Sequence, residues 1–350
     1  MAGIVYSKMV GTNDPVYGKI DTPVRMLLEH ESNLWEKRKT ITKSLFNIEN
    51  SKRFAETYLG QSDFNVFEEV SEGQGAPNDN VSLTFRKTIM HHTFMKEFTI
   101  TKEMVEDAKF GIAVEGRDKA TGFVRAYYKT QNMLAERALI NATQKSFVFS
   151  KGEFDLTAQD ELPLFHKAHT YHTEAMKKFK QSNRFYVNVT AEDFVTGNAF
   201  ESIVGEGTVK MQGFNDDNGS PMGYIADTII VPGNSYKIRA AAKKLAGSER
   251  VSGSDFNDVN LQFGNWNIVV LPEWRPATPK VMLMSSEANK QLHGNNLLNR
   301  TKLEVRNWVD NHTHNLIWSG RGRFGIGFAN WKHIMLIEQG ENAECEEMKI

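Results

Sequence analysis

Three histidines, His166, His169 and His172, stand three residues apart, with Glu174 two positions further on. On a helix, residues three apart share a face, so this spacing could bring three imidazoles to one zinc ion. Pro163 precedes the run and no H-E-x-x-H pattern occurs, so the preferred reading is a loop of polar histidines packed on a neighbouring helix. His91 and His92 are adjacent. On a strand they face opposite sides and cannot easily share one ligand. Gly320-Arg321-Gly322-Arg323-Phe324-Gly325 spells G-x-G-x-x-G. A dinucleotide fingerprint needs a strand before it, a helix after it and a further strand beyond. Here Ile326-Gly327-Phe328 continues in strand rhythm, so the glycines are expected to serve a tight turn and close packing. Arg321 and Arg323 could then touch a phosphate backbone or salt-bridge a neighbour.

The chain has no G-x-S-x-G elbow and no phosphate loop ending in Gly-Lys-Ser/Thr. Its only cysteine, Cys345, lies in an acidic tail and is a poor nucleophile candidate. The carboxylate pairs Glu68-Glu69 and Asp216-Asp217 sit in turn-rich segments and read as solvated surface. No catalytic, cofactor or metal residue is therefore named, and the chain is not expected to be an enzyme.

With 350 residues, the chain exceeds the ~250–300 at which a single core usually stops growing, so two subdomains are expected. A hydrophobic share of 40% and a charged share of 24% describe an ordinary folded protein, and the formal net charge of −1 gives no global pull toward nucleic acid or membrane. One cysteine excludes disulfides within the chain. No apolar run approaches a membrane span, and the N-terminus lacks a signal-peptide core.

The elements follow from periodicity. Residues 1–21 read as an extended arm. Thr22-Pro23 looks like a helix start, and Leu27, Leu34, Ile41 and Ile48 recur every seventh residue as the seam of one amphipathic helix. Then comes a long hairpin. Its arms are expected at Phe64–Val70 and Val81–Met90, around the turn-forming tip SEGQGAPNDN, which contains Gly75 and Pro77. Such arms have little core of their own, and an isolated hairpin is marginal in water. Its partner is either its own domain or another copy of the chain. After Phe98 and Ile100, Thr101 opens a short helix. From Asp118 to Ala142 the chain predicts one long helix, with Ala120, Val124, Tyr127, Leu134 and Ala138 on one face. From Thr190, expected to cap a helix through Val204, the pattern is α/β. It runs through an Asn218-Gly219 turn, strands at 225–232, 266–274 and 280–286, and a helix at 235–246 closed by Gly247. Strand character returns at 305–337, and ENAECEEMKI is expected to be a mobile tail.

This order resembles the major capsid proteins of tailed bacteriophages, most closely the Mu-like major head subunits. Four short stretches carry the likeness: LPLFHKAH at 162–169, IADTIIVPGNSYKIRAAAKKLAGS at 225–248, FGNWNIVVLPEW at 263–274 and RGRFGIGFANWKHIML at 321–336. The resemblance implies an α+β Hong Kong phage-type capsid fold. Its parts would be an N-terminal arm and helix (1–50), an extended hairpin loop (51–95), a peripheral domain on the spine helix (96–189 with 305–340), an axial α/β domain (190–304) and the acidic tail (341–350). It implies self-assembly into hexamers and pentamers of an icosahedral shell around double-stranded DNA, in a virion built in the host cytoplasm. Glu68, Glu69, Gly75, Pro77, Arg321 and Arg323 are the expected subunit contacts. A separate scaffold protein, a portal and a decoration protein are the implied partners. No lysine occurs in Phe54–Phe85, so the lysine crosslink that some relatives form in this loop is not expected. An encapsulin-like shell with protein cargo is the alternative.

Overall fold

The longest helix, α4 (Val114–Ile140), forms from a run rich in Ala, Leu, Met, Glu, Arg and Gln, the residues with the strongest helix propensity. Its 27 residues extend about 40 Å at 1.5 Å each. Ala120, Phe123, Val124, Leu134, Ala135, Ala138 and Leu139 are buried along it, so the expected face is the real one. The computed structural model describes residues 4–6, 18–62, 64, 66–75, 78, 83–107, 114–173, 176–247 and 264–350. Pro77, Glu174 and most of residues 1–17 lie outside them.

Helix α1 (Gly18–Lys37) packs on α4. It begins a turn earlier than Thr22-Pro23, and it does not continue as a seven-residue seam. Lys43 donates its ammonium to the carbonyls of Trp35, Glu36 and Arg38 and so closes the helix end. Thr40 then caps a separate short helix, α2 (Ile41–Leu45), and β2 (Asn47–Asn50) follows. Ile41 and Ile48 thus belong to other elements, and Leu34 is exposed. Val24 and Leu28 carry the contact, with the Glu31–Arg125 ion pair at 2.8 Å and Trp35 stacked on Tyr128.

The spine helix lies on a mixed sheet in which β1 (Ile4–Tyr6), β14 (Asn295–Val309), β15 (Leu316–Phe328) and β5 (His92–Ile100) are neighbours, with β2 also paired to β14. The glycines of the G-x-G-x-x-G run all lie within β15, a central strand, rather than at a turn. A Cβ on Gly320 would stand 2.2 Å from Phe123, and one on Gly322 would stand 2.5 Å from Tyr127. Their role is close approach of the helix aromatics, the packing half of the expectation. As expected, Thr101 caps a short helix, α3 (Lys102–Glu106).

A second sheet runs in the order β12 (Asn267–Leu271), β11 (Thr228–Pro232), β13 (Lys280–Met284), β16 (Ile334–Gln339), β10 (Arg184–Val187), β17 (Glu346–Glu347). Helices α5 (Gly197–Gln212) and α6 (Tyr236–Gly247) pack on it. Thr190 does not cap a long helix: its hydroxyl accepts from the Asp193 amide ahead of a 3-10 turn, Asp193–Val195, and α5 starts after Thr196 and runs past Val204. Three strands of this sheet lie outside 190–304. The tail is docked rather than loose: Cys345 and Met348 are buried, β17 pairs with β10, and Arg184 holds Glu344 at 2.9 Å. Small elements complete the chain: the hairpin β6 (Ser146–Phe149) with β7 (Gly152–Asp155), the ladder β8 (His169–Thr170) with β9 (Lys180–Gln181), and α7 (Ser286–Gln291).

Candidate assembly surfaces

The histidine triplet does not converge. His169 sits in the short strand β8, fully buried and stacked on Trp331 with ring centroids 4.4 Å apart. Its Nδ1 lies 2.8 Å from an Asp160 carboxylate oxygen, and its Nε2 faces the Leu164 carbonyl and Asn183 Oδ1. Each ring nitrogen therefore faces an oxygen acceptor, and a metal would have to displace one. His166 accepts from the Ala168 amide, and His172 is exposed near Phe85. Asn183 ties the segment to the sheet by donating to Leu164, Trp331 and Ile334 carbonyls. Among the described residues, no group of His, Cys, Asp and Glu could hold a metal. The packing reading holds for His169, whose neighbour is Trp331 rather than the spine, while His172 stays exposed. Burial, with the neighbouring Glu338 charge, pushes the Cys345 thiol up to about 12.

The hairpin exists, but its first arm is β3 (Ala55–Gln61) rather than Phe64–Val70. It pairs antiparallel with β4 (Leu83–Met90), from Ala55 opposite Met90 to Gln61 opposite Leu83. The register follows from anchors at the base. Ser51 donates to Glu56, Tyr58 donates to Glu49, and the inward-facing Lys87 reaches Asp155 and Thr157, both at 2.6 Å. Burial alone would raise the Asp155 carboxyl, but the hydrogen bond and charge of Lys87 outweigh it and hold the acid low. A Cβ on Gly325 would stand 2.2 Å from the Met90 carbonyl, and one on Gly327 would meet Ile89 at 2.9 Å, so β15 seats the hairpin root.

Beyond this root, support within the chain ends. Phe64, Val66, Phe67 and Val70 form no strand and are exposed, Phe67 completely. Leu59, Leu83 and Met90 add further exposed apolar surface. An apolar row of this extent marks an interaction surface. Glu68 and Glu69 are exposed beside it, and no atom outside its chain neighbours comes within 4 Å of a Cβ built on Gly75. Pro77 is not among the described residues. Arg321 is exposed on β15, opposite Glu304 in the register. Arg323 is half-buried, its guanidinium 5.4 Å above the Phe54 ring.

Against solved structures, the chain is similar to the capsid of an empty GTA particle, with 11% identity, a TM-score of 0.50, and coverage of 87% of this chain and 91% of that one. The capsid of the native GTA particle gives 13% identity, TM-score 0.50, and coverage of 87% and 94%. The capsid of cyanophage P-SCSP1u gives 12% identity, TM-score 0.52, and coverage of 87% and 89%. The fold is the Hong Kong phage-type capsid fold. No family model and no curated protein matches the sequence. Of the sequence-derived parts, the spine helix, the hairpin and the α/β sheet are present as elements. What sequence reasoning missed is the Lys87–Asp155 anchor and the Arg184–Glu338–Lys280 cluster behind the tail. Both join residues far apart in sequence, and no local pattern marks them.

Proposed function

We propose that this chain is the major head subunit of a tailed-phage capsid, a structural protein that self-assembles into hexamers and pentamers around double-stranded DNA. The single observation that carries this is the hairpin. Its root is anchored by buried groups of its own chain, while its outer half exposes Phe64, Val66, Phe67 and Val70 with no partner strand among the described residues. A soluble monomer gains nothing from such a loop, whereas a shell subunit gains an arm. The four motif stretches support the finer assignment to the Mu-like head subunits. In this reading the α/β sheet and its helices form the axial domain, and the spine helix with the β14–β15 sheet forms the peripheral one. Glu68, Glu69, Gly75, Pro77, Arg321 and Arg323 are subunit contacts.

The working partners are a separate scaffold protein, a portal and a decoration protein, and the product is a virion assembled in the host cytoplasm. No helix among the described residues is long and apolar enough to cross a membrane. A net charge of −1 suits a container that does not grip its contents, because non-specific DNA affinity needs several Lys/Arg–phosphate contacts. The test is electron microscopy of the purified chain together with nucleic-acid analysis of particles made in its native context. Closed shells with packaged DNA support the reading. Shells holding only protein cargo assign the chain to the encapsulin-like alternative, and a monodisperse monomer at assembly concentrations overturns both.

A further inference from the structure

Between the spine helix and the sheet beneath it lies a hollow of about 330 Å³, at the small end of the ~300–1,000 Å³ of small-molecule sites. Its floor is bare backbone. Gly320 and Gly322 of β15 carry no side chain, and the rings of Phe123 and Tyr127 on α4 come down onto them. Ala126, on the same helix face, lines the hollow with a single methyl group. The walls are aromatic. Phe94 stacks on Phe324 with ring centroids 4.4 Å apart. Phe149 meets Phe94 edge-on at 6.3 Å, and Tyr127 meets Phe324 edge-on at 6.0 Å.

One charge belongs to this apolar space. Lys96 is two residues beyond Phe94 on β5, so it shares the spine-facing side of the strand, directly across from Gly320. It lines the hollow and is exposed at the rim. Lys96 makes no hydrogen bond or ion pair among the described residues, and none of the residues lining the hollow is acidic. The adjacent acid, Glu97, belongs to the other face of the strand, across from Ser319. A neutral apolar ligand would leave this cation unused, and a cationic one would meet it as a like charge. We propose that the hollow binds a small amphiphilic acid, an aryl or alkyl carboxylate. Its apolar body enters between the aromatic rings, where ring edges and faces select a flat group. Its carboxylate stays at the rim on Lys96, in contact with water, so no charge is buried. The site is independent of the shell reading, since every group in it comes from one chain.

The probe is naphthoate, titrated calorimetrically into the full-length, unassembled chain, with naphthamide as its uncharged counterpart. The parent is expected to bind the acid saturably and about fivefold more tightly than the amide, the effect of one ion pair at a solvated rim. Lys96→Met should erase that preference without weakening the amide. Lys96→Glu should reverse it, in favour of naphthylmethylammonium. Ala126→Phe, which fills the hollow, should abolish binding of all three probes. Lys96 is exposed, so its two variants decide the matter even if Ala126→Phe does not fold. Phe67→Ser, on the exposed hairpin, should leave every affinity unchanged. The site is overturned by an absence of saturable binding up to about 1 mM, by an acid preference that survives Lys96→Met, or by binding that is lost in Phe67→Ser instead.

Discussion

The six-stranded sheet and the hairpin are built by opposite rules. In the sheet, Thr228–Val231, Val281–Met284 and Ile334–Ile337 are buried on both faces, as strands covered by helices are. Its buried charges are closed into a set: Glu338 receives Arg184 at 2.8 Å and Lys280 at 2.7 Å. The tail strand β17 covers the edge β10, which removes one open ladder. In the hairpin the polar anchors stop at the root and the apolar residues point outward. The difference separates two energies. On the proposed shell reading, the sheet sets whether a subunit folds and the hairpin sets whether subunits join.

The sharpest way to break this comparison is to delete residues 64–75. Assembly should be lost completely, while the melting temperature by calorimetry stays within a few degrees of the parent. Normal shells from the deletion would show that the hairpin is ornament. Loss of folding would show that it belongs to the core. The covalent counterpart concerns the lysine-free stretch. The first lysine after it, Lys87, is buried against Asp155. Shells heated in denaturant should therefore run as single chains on a gel, with no ladder of multimers.

Glycines give a graded version of the same contrast. Gly325→Val drives a side chain into the backbone carbonyl of Met90, which cannot swing aside as a side chain can. Overpacking of this kind is expected to cost about 3 kcal/mol. Gly75→Ala, in open space, should change stability by less than about 0.5 kcal/mol, as a surface substitution does. Equal effects in urea unfolding would remove the distinction between root and tip.

The spine helix was legible because its apolar positions repeat over many turns. The strands at 225–232, 266–274 and 280–286 were legible because β-branched runs are bounded by Gly and Pro. The first hairpin arm was misread because Phe64–Val70 has strand composition without a strand partner. Pairing falls instead to Ala55–Gln61, whose Glu56 and Tyr58 are held by Ser51 and Glu49. The seven-residue seam failed for a similar reason: Lys43 folds back onto the end of α1, and a side chain reaching across a turn leaves no periodic trace. The histidine spacing carried no metal signal, and the partners of the triplet were not legible in it. Its central member is held by Asp160 and Asn183, and the latter is fourteen residues away.

Within the sheet, Arg184→Ala should cost about 2 kcal/mol. That is less than the loss of a lone buried partner, because Lys280 remains beside Glu338. Burial by itself would raise the Glu338 carboxyl, but the hydrogen bonds and charges of Lys280 and Arg184 outweigh it and hold the group below its usual range. Its contribution is therefore present above the ordinary carboxylate range and lost as pH falls through the lowered value. The variant should lose less stability on acidification than the parent. A parallel pH profile would show that Arg184 contributes packing and not charge.

The last expected effect is an acid slope from His333. The ring is fully buried, and its Nε2 donates to Asn295 Oδ1 at 2.7 Å. Gly294 leaves room for it, since a Cβ there would stand 2.4 Å from the ring. Burial pushes the imidazole down to about 3, against the opposing effect of a hydrogen bond that the protonated ring donates to the Asn330 backbone. The folded state thus holds it neutral while the unfolded chain takes up a proton near pH 6.5. A group lowered in this way stabilises fully above the unfolded value, and the contribution shrinks as pH falls from about 6.5 toward 3. The slope approaches 1.4 kcal/mol per pH unit once the unfolded chain is fully protonated. His92 and His166 are lowered by burial as well and act with the same sign. Urea unfolding of the dissociated subunit at pH 7 and pH 5.5 should show the loss, and His333→Gln should reduce it by roughly one proton's worth. If the sheet instead kept its full stability to pH 4.5, His333 would be charged in the folded protein. The sheet would then not be the closed, water-excluding half of the molecule.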